Sequence, residues 1–301
     1  MERIKRAIEA SKLEAAKQAK KKTQPDNNVS EYISSHDVLN HDVLNQAVEN
    51  KDKRKQSSLT DSDDVNIEYE QTRVVSLNQE HLAKNRIVAF NKNNHLSLGF
   101  DILRTQVINK MLENGWRTLA ITSPIPECGK TTVSINLAMS IAHHTNRTAM
   151  LVDFDLRRPT VSKTLGLPTD ASLNEVLSGK VSIADALINP GLEGLVILPT
   201  AMPVKHSSEV LSSRKVENLV TELRERYAER IVIFDLPPLL GTDDTMIMLS
   251  QVDCVLVVVG NGMVSKTDLT ECMRYVDPDK LLGTVLNKSK SEQSDRGYYY
   301  S

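Results

Sequence analysis

An α/β fold, a doubly wound and mostly parallel sheet with helices on both faces, is predicted by three observations in these 301 residues. Runs rich in Val, Ile and Leu recur at 118–122, 149–155, 195–199, 231–236, 253–259 and 282–287, and they are apolar almost throughout. Strands of that kind are buried on both faces, as in a parallel sheet covered by helices. Stretches of helical spacing lie between them. The residues with chemistry to offer, Ser123, Asp153, Asp155 and Asp235, all fall at carboxyl ends of strands, where such sheets bind their ligands.

The elements follow in order. Residues 1–22 are rich in Ala, Glu, Lys and Arg, with Ile4 and Ile8 on one face, which predicts an amphipathic helix. Its basic side chains outnumber the acidic ones, which suits an anionic bilayer or acidic partner, and equally a solvated helix docked on its own protein. Residues 23–84 are polar, interrupted by charge runs and too poor in apolar surface to order themselves, so a largely disordered linker is expected. Within it His36-Asp-Val-Leu-Asn40 is repeated at once as His41-Asp-Val-Leu-Asn45, which is too short for a solenoid period. We read slippage or a short helical turn there, not a metal site. Small apolar clusters at 72–77 and 85–90 mark the return of order, and the main domain is placed at 85–290. A helix is predicted over 98–112 and stopped by Asn114-Gly115; another covers 130–143 with Val133, Leu137, Ala138 and Ile141 inward. Further helices are expected at 172–178, 182–188, 207–226, 242–250 and 266–276, and a flexible tail at 291–301.

Composition narrows the function. Lys and Arg total 37 against 39 Asp and Glu, and no long basic stretch is interleaved with aromatics, which argues against nucleic acid as a partner. Cys128, Cys254 and Cys272 are odd in number and unequally spaced, so they read as reduced core thiols of a cytosolic protein. No signal-peptide core is present, and no apolar run approaches the roughly 18 residues of a spanning helix. The chain is expected to be soluble, or held at a membrane by a partner.

The chemistry centres on Ile121-Thr-Ser-Pro-Ile-Pro-Glu-Cys-Gly-Lys-Thr-Thr132, where a strand runs through a loop into a helix. In a phosphate-binding loop the backbone N–H groups turn inward around the phosphates, the lysine meets the outer phosphoryl oxygens and the next hydroxyl ligates Mg²⁺. Glu127, Cys128, Gly129, Lys130, Thr131 and Thr132 are thus nucleotide-binding positions of a P-loop NTPase, although Pro124 stands where the full pattern has glycine. Two more strand ends carry carboxylates: Asp153 and Asp155 in Val152-Asp-Phe-Asp-Leu-Arg-Arg158, and Asp235 in Phe234-Asp-Leu-Pro-Pro238. A carboxylate after an apolar strand either caps a helix or holds a cation through water. Beside a Mg-nucleotide the second role is favoured.

With these motifs the chain resembles the bacterial tyrosine autokinases of exopolysaccharide and capsule synthesis, and within them the exosortase-associated branch. The resemblance covers about residues 85–287 and adds Tyr298-Tyr299-Tyr300, a C-terminal tyrosine cluster of the kind these kinases carry. The Asp-x-Asp-x-Arg form is specific, because the related partition and septum-site ATPases generally lack it. The resemblance implies ATP and Mg²⁺, with Thr131 binding the metal directly and Asp155 and Asp235 its water shell. It implies Asp153 as acceptor of the phenolic proton, and catalytic roles for Lys130, Asp155 and Arg157. Arg157 either steadies transferred charge or pairs with an aspartate to hold its loop. Asn287 corresponds to an adenine-contacting position, and Tyr298, Tyr299 and Tyr300 to acceptors phosphorylated in trans. The implied partners are a separate transmembrane polysaccharide co-polymerase or activator chain, further copies of the chain and a cognate tyrosine phosphatase, at the cytoplasmic side of the inner membrane. The alternative is a partition-type ATPase switch that hydrolyses ATP without tyrosine transfer.

Two departures stand out. The Glu-x-x-Arg-x-x-Arg pattern that docks subunits into rings appears as Leu98, Asp101 and Arg104, so only its last position matches. The usual Pro-Gly-Glu-Gly-Lys appears as Pro126-Glu127-Cys128-Gly129-Lys130, and if the lost glycine needs positive φ, Glu127 weakens the loop.

Overall fold

The computed structural model describes residues 72–289 except 93, 144–146 and 228. The expected helix at 1–22, most of the linker with its tandem repeat, and the tail with Tyr298, Tyr299 and Tyr300 lie outside the described residues. In chain order the elements are β1 (Arg73–Val74), α1 (Gln79–Lys84), a 3₁₀ turn (His95–Ser97), α2 (Leu98–Glu113), β2 (Thr118–Thr122), α3 (Lys130–Ala142) and β3 (Thr148–Asp153). Next come α4 (Val161–Leu165), α5 (Leu173–Ser178), α6 (Ile183–Ala186), β4 (Ile188–Asn189), β5 (Leu195–Leu198), α7 (Ser207–Leu211) and α8 (Arg214–Glu225). The chain continues through β6 (Arg230–Asp235), α9 (Asp244–Gln251), β7 (Cys254–Gly260), α10 (Lys266–Arg274) and β8 (Leu281–Asn287).

Strand alternation decides which side chains meet which helices. Leu119, Ile121, Leu151, Ile233, Leu256 and Val258 point to one face, where they join Val107 and Met111 of α2 and the buried residues of α3. Ala120, Met150, Val152, Val232, Phe234 and Val257 point to the other, where they meet Val216, Leu219, Val220 and Leu223 of α8 and Met248 of α9. Both faces are covered, which is why the strands read as nearly continuous apolar runs. The sheet order is β1-β4-β5-β3-β6-β2-β7-β8, and every pair is parallel except β4 with β5. From β2 the chain winds out through β3 and returns through β6, then passes to β7 and β8 on the other side. The crevice at the carboxyl end of β2 is therefore the switch point of the sheet.

Several boundaries differ from expectation. Residues 72–84, ahead of the main domain expected at 85–290, already join the fold: β1 pairs with β4, and α1, capped by Asn78, buries Leu82. Asn136 of α3 then fastens the following segment: Oδ1 accepts from Val88 N (2.8 Å) and Ala89 N (2.9 Å), and Nδ2 donates to Arg86 O (3.1 Å) and Thr132 O (2.8 Å). All four hydrogen-bonding positions of that buried amide are filled, so the apolar 85–90 cluster, with Ile87 and Ala89 in the core, is also pinned by hydrogen bonds. The expected helix at 207–226 is two, broken where Ser213 turns extended ahead of α8. The expected helix at 182–188 ends at Ala186, and Ile188–Asn189 joins the sheet. The expected strand at 149–155 stops at Asp153.

On α2, Arg104 donates to Asp101 Oδ1 (3.0 Å) and Ser140 O (3.2 Å), and Ser140 Oγ donates to Asp101 Oδ1 (2.7 Å). Two positions of the altered docking triplet thus fasten α2 to α3 within one chain, while Leu98 (61%) and Ile102 (54%) are left exposed. The three cysteines are buried and unpaired. Among the described residues no helix is long and apolar enough to cross a membrane.

Candidate active site

The site forms where β2 ends. Thr122 Oγ1 donates to Pro237 O (2.7 Å), while Ser123 O and Pro124 O accept from Leu239 N (2.8 Å) and Leu240 N (3.1 Å). Residues 237–240 thereby brace the start of the phosphate loop. Gly129 has φ +89°, and α3 starts immediately after it, which leaves the first amides of α3 at the mouth of the crevice.

Glu127 has φ +64°, and its side chain lies in solvent. The glycine that this position lacks was therefore needed for its backbone conformation. A non-glycine residue in the left-handed region costs about 1–2 kcal/mol. Glu127→Gly is expected to relieve that strain and remove a carboxylate beside the phosphates, tightening Mg·ATP binding by about tenfold in a calorimetric titration. Unchanged affinity would show that the strain is not borne by the binding-competent loop.

The carboxylates are placed by strand register. Asp153 pairs with Asp235 across β3 and β6, and both continue the alternation of Leu151 and Ile233. Both therefore emerge on the face of α3, beneath the phosphate loop. On the opposite face Phe154 and Phe234 meet edge-on, with ring centroids 5.3 Å apart, and fix the strand ends relative to one another. Asp155 lies beyond the end of β3 and also turns to the loop.

Around these carboxylates the loop residues close tightly. Lys130 Nζ is 2.8 Å from Asp155 Oδ2. Thr131 Oγ1 donates to Asp235 Oδ2 (2.6 Å) and lies 3.1 Å from Thr160 Oγ1. Ser134 Oγ is 3.0 Å from Asp235 Oδ1. Asp153 has no exposed surface; its Oδ2 accepts from Thr160 N and Val161 N at 3.0 Å each, and its Oδ1 from Asp155 N at 3.2 Å.

Electrostatics follow from that burial. Burial and the neighbouring Asp235 push the Asp153 carboxyl well above the usual carboxylate range. Burial also raises Asp235, against the opposing pull of Lys130 and the hydroxyls of Thr131 and Ser134. For Lys130 burial acts downward, but Asp235, Asp155 and Asp153 outweigh it and hold the ammonium above its ordinary value. The crevice is an anionic cluster partly compensated by its own lysine.

Arg157 turns away from that cluster. Its Nε and its terminal guanidinium group lie 3.1 Å from the two carboxylate oxygens of Asp244, and Nε is also 3.1 Å from Ser207 Oγ. Asp244 is fully buried. Burial pushes its carboxyl up, but the bonds from Arg157, Ser207 and Thr242 overcome this and leave it lowered. In this arrangement Arg157 is paired with an aspartate.

The predicted residues Lys130, Thr131, Asp153, Asp155 and Asp235 are brought together; Arg157 is not with them, and Asn287 lies against the loop itself. Sequence reasoning missed Ser134, Thr160, Ser207 and Asp244. Ser134 follows Lys130 by one helical turn and, with Thr131, bonds Asp235. The other three carried no local signal. Among the described residues no three His, Cys, Asp or Glu side chains form a metal cage. The hard oxygen donors of Thr131, Asp155 and Asp235 suit Mg²⁺, which uses few protein ligands and keeps waters and substrate phosphates around it.

A family model described as AAA domain matches residues 117–283. The chain is 30% identical over 200 residues to "Tyrosine-protein kinase YwqD" of Bacillus subtilis (strain 168), covering 65% of this chain and 83% of that protein. It is 26% identical over 207 residues to "Putative tyrosine-protein kinase CapB" of Staphylococcus aureus, covering 68% and 90%. Among solved structures, the chimerical protein CapA2B2 superposes with a TM-score of 0.63 at 26% identity, covering 72% of this chain and 93% of that one.

Proposed function

This chain belongs to the bacterial tyrosine-protein kinases, and from that premise we propose that it transfers the γ-phosphoryl group of Mg·ATP in trans to Tyr298, Tyr299 and Tyr300 of another copy, so regulating exopolysaccharide polymerisation or export. The observation that carries this is the convergence of Lys130, Thr131, Asp153, Asp155 and Asp235 at one strand-end crevice.

Lys130 leaves Asp155 for the β- and γ-phosphoryl oxygens, joined by the amides of residues 127–132, which frees Asp155 for the metal's water shell. Thr131 would hold Mg²⁺ through its hydroxyl, and Asp235, with Asp155, would face the metal's water shell. Mg²⁺, when bound, neutralises charge on the phosphates. The tyrosine oxygen forms its bond to phosphorus as the bond to the ADP oxygen breaks, and the phenolic proton passes to Asp153. A phenol with a pKa near 10 gives up that proton only as the new bond forms, so positioning supplies most of the rate. The raised proton affinity of Asp153 suits it to the task. Because the N–H groups of Thr160 and Val161 cover its carboxylate, access requires residues 160–161 to move off it. Arg157, between Asp153 and those residues, is anchored to Asp244.

A separate transmembrane activator chain would hold the kinase at the cytoplasmic face of the inner membrane, and a cognate tyrosine phosphatase would reset it. Phosphate adds roughly two negative charges per tyrosine, which pushes the tail from a site lined by carboxylates. Contacts between copies must use something other than Arg104, which is spent on Asp101 and Ser140.

Incubation with Mg·ATP followed by mass spectrometry of the C-terminal peptide is expected to find phosphate on Tyr298, Tyr299 and Tyr300. An unlabelled tail on protein that binds ATP, with phosphate release unaffected by deleting the tail, would overturn the proposal in favour of a partition-type switch.

A further inference from the structure

The carboxamide of Asn287, at the end of β8, is set against the phosphate loop. Its Nδ2 donates to Cys128 O at 2.9 Å, and a Cβ added at Gly129 would come within 2.2 Å of the same nitrogen. Asn287 has little freedom to withdraw. It pairs with Gly260 as the last rung of β7 and β8, and its own carbonyl accepts from Asn261 N at 2.9 Å. Gly260 in turn packs beneath the loop, where an added Cβ would lie 3.4 Å from Cys128 Cα. The ends of two strands thus close on the peptide that joins Cys128 to Gly129.

A trans peptide points its C=O and N–H in opposite directions. Holding Cys128 O against Asn287 therefore directs Gly129 N–H to the other side, toward which the loop's remaining amides must turn to cradle an anion. Gly129 is required twice over, for its φ of +89° and for the room that Asn287 occupies.

We infer that Asn287 is a positioning residue that presets the phosphate loop, acting on the triphosphate through the Cys128–Gly129 peptide and independently of the base. The inference rests on residues 127–132 being the ATP site. It gives the last strand a part in phosphate binding, and it links that loop to the point where the chain leaves the sheet for the tail.

A ligand without a base separates this role from adenine contact. Calorimetric titration of the full chain with Mg·tripolyphosphate and with Mg·ATP is compared for the wild type, Asn287→Ala and Asn287→Asp. The aspartate keeps the side-chain shape but replaces the N–H donor with a charge that repels Cys128 O, so it serves should the alanine variant fail to fold. In both variants affinity for the two ligands is expected to fall together, by about tenfold, with their ratio unchanged. Weakened ATP binding with tripolyphosphate unaffected would overturn the inference, as would variants that bind both like the wild type. Wild-type protein that binds neither ligand would instead remove the ATP-site reading, and this inference with it.

Discussion

Lys130→Met is expected to abolish tyrosine phosphorylation, lowering transfer by at least about a thousandfold, because it removes the cation aimed at charge developing on the transferred phosphoryl group. The structure adds a second consequence, for the protein without nucleotide. Lys130 is the ammonium that balances Asp155, Asp235 and Asp153, and methionine leaves those carboxylates facing one another with no cation among them. Breaking a buried ion pair on one side costs about 3–5 kcal/mol. Equilibrium denaturation should therefore show Lys130→Met to be less stable at neutral pH, with the deficit shrinking on acidification as Asp153 and Asp235 take up protons. Burial already raises both, so recovery should begin above the ordinary carboxylate range. A variant as stable as the wild type would mean that Lys130 does not rest on Asp155 in solution.

Asp153→Asn should separate stability from activity. Phosphotransfer is expected to fall by about 10²–10⁴-fold, the usual contribution of a general base. Stability at neutral pH is expected to rise by about 0.5–2 kcal/mol, or a few degrees in melting temperature. The sign follows from linkage. A carboxyl whose native pKa is raised contributes stability that is complete below its ordinary value of 3.8 and is lost as pH climbs through the raised native value. Above the ordinary carboxylate range, burial of Asp153 therefore counts against stability. An asparagine Oδ1 can still accept from Thr160 N and Val161 N, while the weaker 3.2 Å bond from Asp155 N is given up. The melting temperature of the variant should therefore exceed that of the wild type at pH 7 and vary less with pH. A lower melting temperature at pH 7 would show that Asp153 is held for structure rather than for proton transfer.

These two residues also mark how far local pattern reaches. The six long strands were legible because burial on both faces leaves an unbroken apolar run, and the strand-end carboxylates were legible because charge is costly there unless it has work. The short elements were not. β1 and β4 have two residues each, too few for any period, and exist because each finds an edge to pair with. Likewise the break between α7 and α8 lies at serines that helix composition alone does not distinguish from solvent-facing positions.

The sequence by itself determined the sheet, the phosphate loop and the three aspartates, since strand periodicity, loop chemistry and the cost of a buried charge act within a few residues of one another. Only the tertiary structure decided that Lys130 rests on Asp155, that Asp153 is roofed by residues 160–161, that Arg157 serves Asp244, and that Asn287 braces Cys128. Each of these is a hydrogen bond between segments that only packing brings within 3.2 Å, and hydrogen bonding is directional and short-ranged. No local pattern encodes which distant donor arrives at a given acceptor; the register of β3 on β6 and of β7 on β8 does.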